Sequence, residues 1–576
     1  MRGRDILLRG AARPSLTAQV QALFAGGKVG GMWDMGDTST LFQNTAGTTP
    51  VTAVTQPIGI VLDKSQGLVR GVELISNGSF DTDTIWSKGT GWSITGGAAT
   101  SVGANQFQAL TQTAATISGK TYEVSFVVSR TSGSLLFRLG SGANKADISA
   151  SGSYRYVVQA DGGSIAFLSN ATGFEFVGTI DNVSVKELPG NHATQPTAGS
   201  RPLFSARNNL LTKSEQFNDG VWVNALIAVN TDNATAPDGT VTAEKLCPTA
   251  VSGVHVLEQN SLSIGTGIAV LSVYAKAAEY TRIALRESTT TGAWSVFDVS
   301  GGTVLGSGGG ASSTAITSVG NGWYRCTMTV SAASAGLATH VVSPSWVSGS
   351  PNGQAYTGNG TDGIYVWGAQ LEQVALSRYQ RVNTASDYDT VGFPAFAQFD
   401  GINDLLQVSG INLSTTNKVL IGLAFKPNTT ALTVAMEYST TAVSNVGAFY
   451  VSLNESGTGK HNMLANNGGG GLDVVTLSSA VALAPTVLID YIDLAQLVAI
   501  AKHSVRVNGA SAGITSVIDG PDVAGNFGNY DLFLGARSGG SFPSNMNIHR
   551  AFIRAGDATA GEQLILENWL RESCGV

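Results

Sequence analysis

Apolar and polar residues trade places at every second position along much of this chain. The runs TYEVSFVVS (121–129), SLLFRLG (134–140) and SYRYVVQA (153–160) show it most clearly. Side chains that alternate in this way line the two faces of a strand, so one face is buried and the other is wet. Between such runs stand glycine- and serine-rich turns, and the chain holds 71 glycines, 15 prolines and only 13% charged residues. Regularly punctuated short strands predict sandwiches rather than a parallel α/β sheet. A length of 576 residues makes room for three to five such domains.

The net charge is −7 and the isoelectric point about 5.4. No basic patch is present to neutralise a phosphate backbone, so nucleic acid is not an expected partner. Cys247, Cys326 and Cys574 form neither a disulfide framework nor a zinc pattern, and are expected to be small buried hydrophobes. The start, MRGRDILLRGAARP, has no continuous apolar core of a signal peptide. The most apolar window, 486–501, carries Asp490 and Asp493 and is too short to span a bilayer, so membrane insertion is not expected.

Two separated strings read as halves of one. Residues 31–67 read GMWDMGDTSTLFQNTAGTTPVTAVTQPIGIVLDKSQG, and residues 190–202 read GNHATQPTAGSRP. Together they resemble a stretch near the N-terminus of many bacteriophage and prophage structural proteins, in which the part after "DKS" runs directly into "GNHA". The resemblance implies that a whole module is inserted between the halves. Residues 1–69, continued by 189–205, are accordingly expected to be a virion-docking segment. Within it, SLTAQVQALFAG (15–26) predicts a short helix. Ser15 caps it, Leu16, Val20, Leu23 and Phe24 share one face, and Gly26-Gly27 ends it. That face either docks on a larger assembly or packs on the chain's own first domain.

Residues 70–188 open with GVELISNGSFDTDTIWSKGTGWSI and close with GFEFVGTIDNVSVKELP. These paired ends resemble the carbohydrate-binding jelly rolls attached to glycoside hydrolases. Residues 206–383 carry NNLLTKSEQFNDGVWV, APDGTVTAEKL, GNGWYRCTMTVS and IYVWGAQLEQVALSRYQRV in order. They resemble a jelly-roll module of phage head spikes and tail fibres. Residues 384–576 open a strand with FAQFDGINDLLQVSG and resemble concanavalin-like (laminin-G-like) sandwiches. They end in a helix whose capping box is Thr559 and Glu562 and whose apolar stripe is Ile565, Leu566, Trp569 and Leu570. The expected fold is therefore all-β: three sandwiches in series, a short N-terminal docking segment and a C-terminal helix.

Catalytic signals are thin. Gly509-Ala510-Ser511-Ala512-Gly513 matches a nucleophile elbow in letters, but Asn508-Gly509 predicts a hairpin and no helix follows. The six histidines are scattered. The carboxylate pairs Asp81/Asp83 and Asp400/Asp404 are read as turn residues; a glycosidase would need two carboxyls about 5–10 Å apart across a cleft. Sugar binding calls for ring faces beside polar groups, and Trp86, Trp222 and Trp294 lie in predicted loops or edges; the alternative for all three is core packing. The jelly-roll resemblance implies one structural Ca²⁺, for which Asp181, Glu73 and Asn77 are the candidate ligands in the first module and Glu372 in the second. The alternative role for these four is to satisfy strand-end backbone groups.

The resemblances imply a virion protein on a phage tail or capsid surface, without catalysis of its own. The first expectation is a homotrimeric tail-fibre or receptor-binding protein that adheres non-covalently to host surface glycans, grips other virion proteins through its N-terminus and presents its last sandwich to the host. The alternatives are a head-decorating spike or tail-collar protein, and a glycan hydrolase (depolymerase).

Overall fold

The computed structural model describes residues 14–575 except 172, 289–290, 352–353, 374, 442–444, 456, 458, 467–471 and 521–524, with backbone only at 261–267, 332–336 and 516. The alternating runs are strands: Thr121–Ser132, Leu135–Leu139 and Gly152–Gln159. The fold is all-β, with antiparallel sheets paired into sandwiches and a C-terminal helix.

One sandwich is assembled from three pieces of chain. Its first sheet has Asn545–Ala555 at its centre. Lys418–Pro427 pairs along one side of that strand, and Phe396–Asp400 and Gly30–Asp34 lie end to end along the other. Leu203–Ser205 extends the sheet beyond Phe396–Asp400. Its second sheet runs from Leu41–Phe42, Ile60–Val61 and Ala193–Thr194 through Leu406–Asn412 and Asn529–Leu534 to Ile514–Ile518. Trp33, Val61, Phe399, Phe425, Tyr438, Leu488 and Ile553 are among the side chains buried between the sheets.

Residues 14–66 and 190–205 thus contribute a helix and short strands to the C-terminal sandwich, and the expected separate docking segment is corrected on this point. The physical reason is hydrogen bonding: without Gly30–Asp34, five residues of Asn545–Ala555 would face no partner on that edge. The N-terminal helix Leu16–Gln21 starts at Ser15, whose Oγ accepts from Ala18 N–H at 3.2 Å. Its apolar face, with Leu23 and Phe24, is buried against Phe552, Leu566, Trp569 and Leu570. It covers the outer face of the first sheet beside the C-terminal helix Ala560–Cys574, which has the expected capping box and a left-handed Gly575 at its end. Residues 1–13 of the expected docking segment lie outside the described residues. No helix among the described residues is long and apolar enough to cross a membrane.

The first module projects from this base as two five-stranded sheets around Trp86, Trp92, Phe126, Phe137, Phe167 and Phe176. Its two ends leave the base together, with Leu74 N–H donating to Val185 O at 2.9 Å. Beneath them the split string closes up. The buried Asp63 carboxylate accepts from Met32 N–H (2.8 Å), Ser65 N–H (2.8 Å), Ser65 Oγ (2.8 Å) and Asn191 N–H (2.7 Å). Asp63 N–H donates to His192 Nδ1 at 2.9 Å, which fixes the ring proton on Nε2, directed at Leu188 O. Burial holds His192 down to about 4, so it is neutral and able to accept. Trp33 Nε1 donates to Asn191 O at 2.9 Å. Gly47 (φ +60°) lies so near the module that an added Cβ would sit 2.5 Å from Val157 Cβ.

The second module is likewise inserted, between the paired strands Leu203–Ser205 and Phe396–Asp400. Its entry and exit are tied by the buried Gln380, whose Oε1 accepts from Asn208 and Asn209 N–H and whose Nε2 donates to Ala206 O and Asp389 O. Two long strands, Val256–Lys276 and Trp323–Val341, run through its ten-stranded sheet around Trp222, Leu271, Phe297 and Met328. The two modules therefore stand on a base that carries both the N-terminal and C-terminal helices. The last sandwich is that base.

Candidate functional site

The outer face of the second module gathers polar and aromatic groups that the spacing along the chain does not bring together. Antiparallel register sets Val223 beside Glu258, Glu258 beside Ala338, Ala338 beside Arg286, Arg286 beside Trp294 and Trp294 beside Gly308. At about 4.8 Å per strand, Glu258 and Trp294 stand roughly 14 Å apart. The next row is Ala225, Val256, His340, Ala284, Val296 and Gly306. Alternation decides which residues face outward: Ile283, Leu285, Phe297 and Leu337 fill the core behind.

Trp294 lies across its neighbouring strand because glycines leave room for it. A Cβ at Gly308 would come within 2.9–3.1 Å of three indole atoms, and one at Gly306 would meet Trp346 at 3.2 Å. Trp346 packs edge-on to Trp294, with ring centroids 6.4 Å apart. It roofs the second row with Val342, Ala284 and Val296. Arg282 pins that roof by donating to Pro344 O and Trp346 O at 2.6 and 2.8 Å. The first row remains half-open: Glu258, Arg286 and Trp294 are each partly exposed. No hydrogen bond or ion pair engages the side chains of these three among the described residues. Beside them His340 is 1% exposed, and neither ring nitrogen has a hydrogen-bond partner. Burial, reinforced by the Arg286 charge, holds it down to about 3, so it is neutral at physiological pH.

This arrangement offers an indole for the C–H face of a sugar, a guanidinium whose N–H groups donate, and a carboxylate that accepts from hydroxyls. Sequence reading reached Trp294 but not Glu258, Arg286 or His340. Their shared face depends on register across four strands, which no local pattern encodes.

The other tryptophan candidates are core residues. Trp86 packs on Phe80 and Phe167 and donates its Nε1 hydrogen to Asn77 O. Trp222 packs on Phe217 and donates to Lys213 O. Both are about 95% buried, which leaves no ring face for a sugar.

The calcium candidates do not fit a cation. Glu73 accepts from the N–H groups of Leu74, Ile75 and Val185 and from Ser184 Oγ. Asn77 bridges the turn to Thr82 and Thr84. Asp181 accepts from Asn182, the residue that follows it. Glu372 is 3% exposed and accepts from Ser377 N–H and Oγ. Each oxygen set is turned to local donors, the strand-end role. No group of three or more His, Cys, Asp or Glu suited to a metal occurs among the described residues. Ser511 sits past a hairpin in which Asn508 and Gly509 both have positive φ (48° and 91°), not at a strand-to-helix elbow. Asp404 accepts from Asp400 N–H at 3.0 Å, closing a turn.

No protein-family model and no curated sequence matches the chain. Solved structures similar to parts of it include the CBM40 of the Ruminococcus gnavus IT-sialidase bound to α2,3-sialyllactose, at 16% identity over 28% of this chain and 95% of that one, with a TM-score of 0.21. Mouse laminin α1 chain domains LG4-5 match at 14% identity, over 53% of this chain and 85% of that one, with a TM-score of 0.20. A putative carbohydrate-binding protein of Bacteroides ovatus matches at 11% identity, over 55% and 78%, with a TM-score of 0.19. At such TM-scores these likenesses decide nothing about this chain's ligand.

Proposed function

We propose that this chain is a bacteriophage virion protein of the tail-fibre or receptor-binding kind, which holds host surface glycans without cleaving them. The carrying observation is the half-open row of Glu258, Arg286 and Trp294, with Trp294 laid on two glycines and none of the three side chains in a hydrogen bond or ion pair among the described residues. The virion assignment rests on the phage-like wording of the split string and of the second module. In this reading the base faces the particle and the inserted modules face outward. A shallow site of this size binds weakly alone, and several copies, as in a homotrimer, raise the avidity without new contacts.

The test is binding of the full-length protein to intact host cells before and after periodate oxidation of their glycans. Saturable binding that periodate abolishes supports the reading. Binding that survives periodate contradicts a glycan receptor. Absence of binding, together with a location on the head in labelled virions, favours the decorating-spike alternative.

A further inference from the structure

A second site lies between the second module and the base. Two adjoining cavities of about 500 and 540 Å³ share Asn208, Gln373, Phe396, Lys426 and Asn547 in their walls. The floor is the uncovered part of the base sheet's outer face, where register aligns Lys426 with Asn547 and Asn547 with Gln398. Asn428 Nδ2 donates to Asn547 Oδ1 at 3.1 Å, which orients the Asn547 amide and leaves its own N–H groups to spare.

The charges are unbalanced. Among the described residues, Lys426, Arg378 and Arg207 face a single carboxylate, Glu372, in a chain that is −7 overall. Arg207 is engaged by the carbonyls of Asn209, Leu210 and Leu211. The Arg378 guanidinium lies 4.3 Å from the centroid of the Phe393 ring. Glu372 is held by Ser377. The Lys426 side chain has no hydrogen bond, ion pair or ring contact among the described residues. Burial pushes its amine down to about 8, against the pull of Glu372, so it is still largely protonated at neutral pH.

We infer that this cleft binds an acidic sugar, its carboxylate on Lys426 and its hydroxyls on the amides of Asn208, Asn547 and Gln398. The amide groups match vicinal hydroxyls as paired donors and acceptors, and Phe396 supplies an apolar wall. A half-buried ammonium without a hydrogen-bonding partner is unfavourable, and a ligand carboxylate relieves it. The inference shares the carbohydrate-binding reading but uses a different surface from the Trp294 row.

The test titrates the full-length protein with trisaccharides that end in galacturonate, glucuronate or sialate, with their methyl esters and with acetate. The expected result is saturable binding of at least one acid, with the ester about tenfold weaker or more and acetate negligible. Lys426→Met should weaken binding of the acid about tenfold, while Trp294→Ala leaves it unchanged. If Lys426→Met does not fold, Asn547→Leu carries the same expectation. Equal affinity for acid and ester, unchanged binding by the Lys426 or Asn547 variant, or no binding of any acid overturns the inference. Acid binding lost in Trp294→Ala but kept in Lys426→Met would overturn it while leaving the outer-face reading intact.

Discussion

Replacing Asp63 by alanine tests whether the split string is a structural clasp. The carboxylate is 0% exposed and takes hydrogen bonds from three backbone N–H groups and one hydroxyl. Alanine leaves three N–H donors without an acceptor, two of them buried and that of Asn191 partly so, at about 2 kcal/mol each. The opposing contribution is desolvation of the charge. Burial outweighs the four donors and pushes the acid from 3.8 up to about 6, which costs about 3 kcal/mol at neutral pH. The difference is a net loss of about 3 kcal/mol, a large share of the roughly 5–15 kcal/mol that holds a domain folded. The sign with pH follows from the raised value. The carboxyl's contribution is fully present below about pH 4 and is lost as pH rises through 6. Urea denaturation followed by tryptophan fluorescence reads this, because Trp33 is bonded to Asn191 within the clasp. The gap between wild type and Asp63→Ala should be wider at pH 4.5 than at pH 7.5. A gap below about 1 kcal/mol at both pH values, or one that narrows on acidification, refutes the reasoning.

The nested architecture predicts how the chain can be cut. Residues 70–188 excised should give a cooperatively folded module by circular dichroism and thermal melting, and joining Gly67 to Pro189 should leave the rest folded. A fragment of 384–576, which lacks Gly30–Asp34 and Leu203–Ser205, should be insoluble or molten; a sharp melt from it contradicts the three-piece base. All three cysteines are buried, and burial raises the Cys326 thiol well above its ordinary value. A thiol reagent at pH 8 should therefore label none of them within minutes unless denaturant is added, and rapid labelling counts against this packing.

The elements whose signals are local were legible in the sequence. Thr559 and Glu562 form their capping box, Ser15 caps the first helix, and the alternating runs are strands, because each depends on residues within one turn or one pleat. The split string was legible as wording, and its chemistry became clear only when Asp63 met Asn191 and His192. What the sequence withheld is long-range. Gly30–Asp34 pairs with residues more than 500 positions away, so a segment read as a docking arm proved to be a strand of the last sandwich. Trp86 and Trp222 stood open between sugar contact and core packing because they sit in irregular segments, and each anchors its loop to a core by an indole N–H bonded to a carbonyl. Glu258, Arg286 and His340 meet Trp294 only through register, which hydropathy does not specify across strands.

The most direct test of the central claim compares wild type with Trp294→Ala for binding to purified host polysaccharide by isothermal titration, with melting temperature as the control for folding. Indole stacking and the exclusion of water around it predict a loss of affinity of about tenfold or more, with the melting temperature little changed. Undiminished affinity in a folded Trp294→Ala protein would contradict the account and remove the outer face of the second module as the glycan site.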